Sequence, residues 1–576
     1  MLKTLIIILF TLSACGGGGE TPANPANPAN PKPKEILSFQ SSTQVGSPFS
    51  FTITTLKKQA VFTLKTPPEG MTINAVTGKI YWTPTPNQVG AYTIAIDVSG
   101  LAKTLKLTVN AGGITAANAI FISPTGNNAN TGTYDFPLSD TKSICKLATG
   151  LTVPAGTTIY YRGGVYHNPG FGTGLYNKSI PQVDCMGAPN NPVILKPWGN
   201  EKPNIVFDSF TGMRLAGNYL VFDGFEVQGM AKNIAYLDAI NHWWDTPKYF
   251  NGNGIVANGH HITVRNNIVH DIPASAISAD GNVDYFVADG NIVYDSAWWT
   301  IKGTKGIGVV NANSSDGSTT QNIKIINNLI FGVESRIFSR VWSKGFATLT
   351  LDEGEAVLVQ INKGTYRGGY LIRDNFMLHN GKGVVVNKTN NADIYANTLY
   401  MNGTTISGSS KGIRGNTTKN VRVQYNAVEV PVDVYSNAYS MGRSTLTALI
   451  SNYMVGGDTL SKKYIPLPGN NFVSAIFNNP ANLDFSILPS LPQNIGASQA
   501  VWTRLKARAD AYGISIKPTG WVPDYVQQTL DIEARIPVGT VIDPYTKAGS
   551  WLLRAIPTVG VTDGRPANFE LIIVHP

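Results

Sequence analysis

Two ten-residue phrases hold the densest group of chemically capable side chains: Ile262–Asp271 (ITVRNNIVHD) and Phe286–Asp295 (FVADGNIVYD). Aligned on Asn267 and Asn291, they place Asp271 against Asp295 and His270 against Tyr294. Two carboxylates about one strand spacing apart repel, so one pKa rises unless a cation lies between them. Such a pair serves as acid and base in glycoside hydrolysis or as calcium ligands, or it bonds turn amides and serves the fold alone. Tandem tryptophans flank the group: Trp243 and Trp244 after His242, and Trp298 and Trp299 after Asp295. Exposed indoles there can stack on sugar rings; buried ones anchor loops. Between Asn328 and Asn375, Arg336 belongs to an insertion rich in both charge signs. That insertion is either the lining of a groove for an anionic chain or a solvated lobe.

The elements that must position these residues follow from repetition. The same phrase returns with Asn at 267, 291, 328, 375, 397 and 426, a base period in the low twenties broken by insertions. Short strands recurring at that period define a parallel β-helix, in which equivalent positions stack at about 4.8 Å. The repeated Asn then forms an internal amide ladder. A β-sandwich array, the other all-β reading, calls for more two-residue hairpin signals. The repetition therefore predicts an all-β protein built around a parallel β-helix.

The N-terminal 15 residues read as an export signal ending Leu12-Ser-Ala-Cys15, with an apolar run too short to span a bilayer. This end resembles bacterial lipoprotein signals, which implies a lipidated Cys15 and an anchor at the cell envelope, the outer membrane in a Gram-negative cell. Residues 16–35, rich in Gly, Pro and Asn, form a tether. Residues 36–111 alternate apolar and polar and contain Lys79-Ile-Tyr-Trp-Thr-Pro84 and Gly90-Ala-Tyr-Thr-Ile-Ala-Ile-Asp97. They resemble cadherin-related immunoglobulin-like modules of bacterial surface proteins. Residues 499–576 open with a short amphipathic helix, Gln499 to Tyr512, and are expected to cap an open end of the coil.

Residues 117–498 resemble pectate-lyase-like right-handed β-helix proteins through Ile122-Ser-Pro-Thr-Gly-Asn, Leu151-Thr-Val-Pro-Ala-Gly-Thr-Thr-Ile-Tyr-Tyr and Pro192-Val-Ile-Leu-Lys-Pro-Trp-Gly, besides the Asn phrases. The resemblance implies clustered Asp residues binding calcium, here Asp280 or Asp284. It also implies an uncharged base, here Lys302 or Lys305, driving β-elimination of a uronate. A hydrolase using Asp271 and Asp295, and a non-catalytic glycan-binding or adhesive protein, are the alternatives.

Composition sets outer bounds. The chain has 576 residues, 58 glycines, 14% charged residues and a net charge of +9. A modest positive charge suits an acidic polysaccharide and also mere proximity to an anionic surface. No nucleic-acid module is present, and membrane contact is expected through the lipid alone. With Cys15 assigned to lipid, Cys145 and Cys185 remain to form one disulfide in an exported protein.

Overall fold

The structure is a computed structural model. It describes most of the chain between residues 38 and 516 and the paired strands Leu552–Thr562 and Arg565–Val574. Residues 1–37, 111–118, 168–181, 235–250, 301–303, 404–411, 432–437, 456–469 and 517–551, with some shorter stretches, lie outside the described residues. The chain divides into two compact units, Met1–Ala111 and Gly112–Pro576.

The first unit packs a four-stranded sheet against a three-stranded one. Its alternation has a direct structural consequence. Ile94, Ile96 and Val98 on one strand and Leu105, Leu107 and Val109 on the next point into a core with Phe49, Phe62, Ile80 and Trp82. Their polar neighbours face outward, as period two requires.

The second unit is a parallel β-helix. Three long sheets, of eleven, eleven and nine described strands, pair each coil with the next in parallel. One coil runs Ile262–Arg265 in the first sheet, Ile268–Ile272 in the second and Ile277–Asp280 in the third. It returns to the first sheet at Val287–Asp289. Inward residues stack by type: Val264, Ala288, Ile325, Ile372, Ile394 and Val423 occupy one register column and are almost fully buried.

The turn between first and second sheets explains the repeated phrase. Its opening residue adopts left-handed φ: Asn266 52°, Asn327 57°, Asp374 54°, Ala396 48° and Gly290 65°. The Asn that follows is wholly buried. Asn267 donates its backbone N–H and side-chain amide to Asn291 Oδ1 at 3.0 and 3.1 Å, and Asn291 does the same to Asn328 at 2.8 and 3.0 Å. The ladder continues through Asn375, Asn397, Asn426, Asn452 and Asn470. A second, shorter ladder joins Asn380 to Asn402 at 2.8 Å, five residues beyond the first.

Cys145 and Cys185 are joined by a disulfide, with Cα atoms 4.9 Å apart. Helix α1 (Gln499–Ala511) does not cross an end of the coil; it lies along the flank of the second sheet. Trp502, Leu505 and Ala509 form its buried stripe, over Ile268, Ile292, Leu329 and Phe376. Ser498 N–H bonds Asp374, and Arg508 bonds the carbonyls of Gly290 and Asn266. The ten residues between those contacts rise about 15 Å, which matches three coil spacings. A row of outward apolar side chains, one from each coil, creates the stripe that the helix covers. No helix among the described residues is long and apolar enough to cross a membrane.

Candidate active site

The second sheet positions the site. Strands Ile268–Ile272 and Ile292–Ser296 pair with His270 opposite Tyr294 and Ile272 opposite Ser296. Asp271 and Asp295 lie between those pairs, each at left-handed φ, 56° and 47°. The same bulge recurs one coil further at Gly332 and then at His379. Stacking of identical bulges therefore brings the two carboxylates onto adjacent coils, as the aligned phrases predict.

A cation that the sequence did not mark lies between them. Lys232 sits in a single 3-10 turn, Ala231–Asn233. Its Nζ is 2.8 Å from Asp271 Oδ1 and 3.0 Å from Asp295 Oδ2. Trp299 fixes this turn by donating its indole N–H to the Ala231 carbonyl at 2.6 Å.

His270 extends the network. Its Nδ1 is 3.1 Å from Asp271 Oδ2 and its Nε2 3.1 Å from Glu226 Oε1, on the preceding coil. The imidazole lies flat on Tyr294, centroids 4.8 Å apart, and Tyr294 lies flat on Phe331 at 5.2 Å.

These contacts set the protonation states. Burial alone lowers the His270 pKa, but hydrogen bonds to Asp271 and Glu226 outweigh it, and the net shift is upward. Burial raises Asp271, while its bonds to His270 and Lys232 more than reverse that, leaving it below the usual carboxylate range. Lys232 is pulled down by burial and pushed up further by the two carboxylates, so it stays charged. The Tyr294 phenol is pushed well up, by burial first and then by the surrounding carboxylates.

Lys232, Tyr294, Asp295, Phe331, Gly332 and His379 line a cleft of about 260 Å³, closed on one side by Gly513–Ser515 just after α1. The helix thus brings the segment that follows it over the reactive group.

Other expectations are corrected. Trp298 and Trp299 are buried, 3% and 0% exposed, so neither offers a sugar platform; both anchor the loop. Arg336 is equally buried: its guanidinium lies 3.1 Å from the Trp298 ring centroid and donates to Glu334. It therefore lines no open groove. Lys305 lies within a third-sheet strand, and burial lowers its amine pKa. It is not among the cleft residues, so the amine expected to act as base sits elsewhere. His242, Trp243, Trp244 and Lys302 lie outside the described residues, as does Cys15.

Asp284 is not free to bind calcium. Asp284 is fully buried and accepts from Tyr285 N, Ser315 N, Ser315 Oγ and Asn322 Nδ2, which uses both oxygens. Asp280 is exposed and accepts from Asn311. Among the described residues no three His, Cys, Asp or Glu side chains are grouped to hold a metal.

Glu226, Lys232 and His379 escaped the sequence reading. Glu226 was findable, because Leu220-Val-Phe-Asp-Gly-Phe-Glu-Val-Gln228 is the repeated phrase with Phe225 in the Asn position. Lys232 carries no such signal, since it lies in an irregular turn.

A family model described as "Putative Ig domain" matches residues 36–112. No curated protein matches the chain. Solved structures similar to it include pectate lyase Pel9A, at 15% identity over 59% of this chain and 80% of that one, TM-score 0.32. A protein described as a glycoside hydrolase is 11% identical over 67% of this chain and 100% of its own, TM-score 0.41. The GH136 lacto-N-biosidase from Eubacterium ramulus is 16% identical over 58% of this chain and 56% of its own, TM-score 0.36. At these values the likeness is one of fold, a stack of parallel coils.

Proposed function

We propose that the protein acts on polysaccharide, cleaving a uronate-containing chain by β-elimination in the second-sheet cleft. The observation that carries this reading is the bridge Asp271–Lys232–Asp295. Hydrolysis by two carboxyl groups needs one of them protonated at working pH. Here an ammonium touches both, and Asp271 is held ionised.

β-Elimination asks for other groups: a cation for the substrate carboxylate, a base for the C5 proton and an acid for the leaving oxygen. Lys232 keeps its charge, and its side chain is half exposed. A uronate reaching it competes with Asp295, the more exposed carboxylate at 22% against 8%. Asp295, once displaced, then takes the C5 proton as the C4–C5 double bond forms. The C4–O bond breaks, and the leaving oxygen takes the proton of Tyr294, whose phenol is protonated at working pH; the proton taken by Asp295 then restores the phenol. No step is routed through calcium.

A second reading has its own support. Two carboxylates touching one ammonium lie close enough for the retaining arrangement of glycosidases, about 5–5.5 Å. Incubating the protein with pectin, alginate, hyaluronan and chondroitin separates the readings. Ultraviolet absorbance from an unsaturated product, lost in Lys232→Ala and Asp295→Asn, supports elimination. New reducing ends without that absorbance support hydrolysis through Asp271 and Asp295, and binding without turnover supports an adhesive role.

Export with lipid attachment at Cys15 belongs to the same proposal. The Cys145–Cys185 disulfide supports it, since such bonds persist in oxidising compartments. Radiolabelled palmitate incorporated by the chain but not by Cys15→Ala tests it.

A further inference from the structure

The outer face of the first sheet carries a trough unrelated to the cleft. Its floor is one register column, Val221, Thr263, Val287 and Lys324, from four successive coils. One wall is the turn Ala188–Pro192; the other is the segment Thr320–Asn322, and the space between is about 560 Å³. That second wall is held firmly. Ser315 donates twice to the buried Asp284, Tyr285 Oη donates to Asp316 at 2.7 Å, and Arg367 N–H donates to Ser314 Oγ at 2.8 Å. Asp284 is thus the anchor of a trough wall.

Along one side run three rings from consecutive coils, Tyr219, His261 and Tyr285, stacked at 4.3 and 4.1 Å. Each sits at left-handed φ, 52°, 55° and 48°, a conformation that bulky residues rarely hold. Their faces cover one another, so the trough meets ring edges. Beyond Thr320 and Gln321 the same column continues into a second hollow of about 420 Å³, beside Asn391, Asp393, Asn420 and Arg422.

We infer that this trough is a binding site for a linear, uncharged polysaccharide, separate from the cleft. Its described lining carries one side-chain charge, Lys324, and in the second hollow Arg422 is paired with Asp393. A polyanion needs a row of unpaired cations. The polar lining is amides, hydroxyls and one imidazole, which both donate and accept, as sugar hydroxyls require. Valines and ring edges between them suit the C–H faces of pyranoses. The floor spans about 14 Å over four strands, room for a few sugar units in line. An added peptide strand has no foothold, because the floor strands are paired on both sides and leave no free backbone edge.

Affinity electrophoresis of the full chain in gels containing xylan, galactomannan or mixed-linkage glucan tests this, with alginate as the anionic control. Retardation is expected in at least one neutral gel and is expected to survive 0.5 M salt (about a 4 Å screening length). Thr263→Arg, which fills the floor, should weaken retention at least tenfold, while Lys232→Ala in the cleft leaves it intact. If Thr263→Arg does not fold, Gln321→Ala in the wall serves instead. Three results overturn the inference: no neutral gel retards the chain, trough variants bind as wild type, or Lys232→Ala abolishes binding. Because the readout is binding in a cleft variant, it stands or falls apart from β-elimination.

Discussion

Trp299 donates its indole N–H to the carbonyl of Ala231 at 2.6 Å, and the turn held by that bond delivers Lys232 to Asp271 and Asp295. A buried tryptophan therefore acts on the cleft through a main-chain contact. Trp299→Phe keeps most of the packing but leaves that carbonyl without its indole donor. The expected loss is about 1–3 kcal/mol of stability, with a fall in kcat/KM larger than the thermal shift explains. Thermal denaturation and kinetics on the same preparation check both parts.

The His270 network makes stability depend on pH in two directions. His270 has its pKa raised above the ordinary 6.5, so its contribution is complete below that value and fades as pH rises through the folded pKa. Asp271 has its pKa lowered below the ordinary 3.8, so its contribution is complete above that value and fades as pH falls through the folded pKa. Both are complete between those two ordinary values. Melting temperature followed across pH should decline on the alkaline side in wild type, and His270→Gln should remove that decline. An unchanged alkaline limb in the variant argues against the assignment.

Asn291→Ala removes a middle rung. It strips the acceptor from Asn267 N–H and from one Asn267 Nδ2 hydrogen, and the side-chain donor from Val264 O, while Asn328 Oδ1 keeps the backbone N–H of residue 291. With several buried groups left unpaired at about 1–3 kcal/mol each, the variant should lose roughly 3–5 kcal/mol. Asn470, at the end of the described ladder, has a ladder neighbour on one side, Asn452, and its replacement should cost less. Denaturant titration of the two variants gives the comparison.

Reduction of Cys145–Cys185 should lower stability by about 2–4 kcal/mol, by releasing a loop closed across a sequence separation of 40. Melting with and without reductant measures it. Cys145→Ser with Cys185→Ser should melt like the reduced protein and be insensitive to reductant.

The Asn phrase made the coil legible because a buried amide ladder tolerates one residue type at one position per turn. Register followed from it, and so did the pairing of Asp271 with Asp295 and of His270 with Tyr294. The second ladder was also written in the chain, since Asn380 and Asn402 each follow a first-ladder Asn by five residues. Trp298, Trp299 and Arg336 were misread because residue type alone does not say whether a ring faces water. Here the indoles fill space beneath the loops, and the guanidinium lies against one of them. Asp284 was misread for a related reason: an acidic residue among others looks like a metal ligand until its hydrogen bonds are seen.

The sequence by itself determined the coil, its register and the carboxylate pair, because all three repeat with the backbone, and periodicity is a local property. Only the tertiary structure decided that Lys232 joins the pair, that α1 lies along the flank and that Asp284 is spent inside a wall. Those contacts are made by segments that do not repeat, between residues 31 to 242 positions apart, from Ser315 on Asp284 to Arg508 on Asn266. No pattern along the chain encodes them, since each depends on where stacked coils bring unlike loops together.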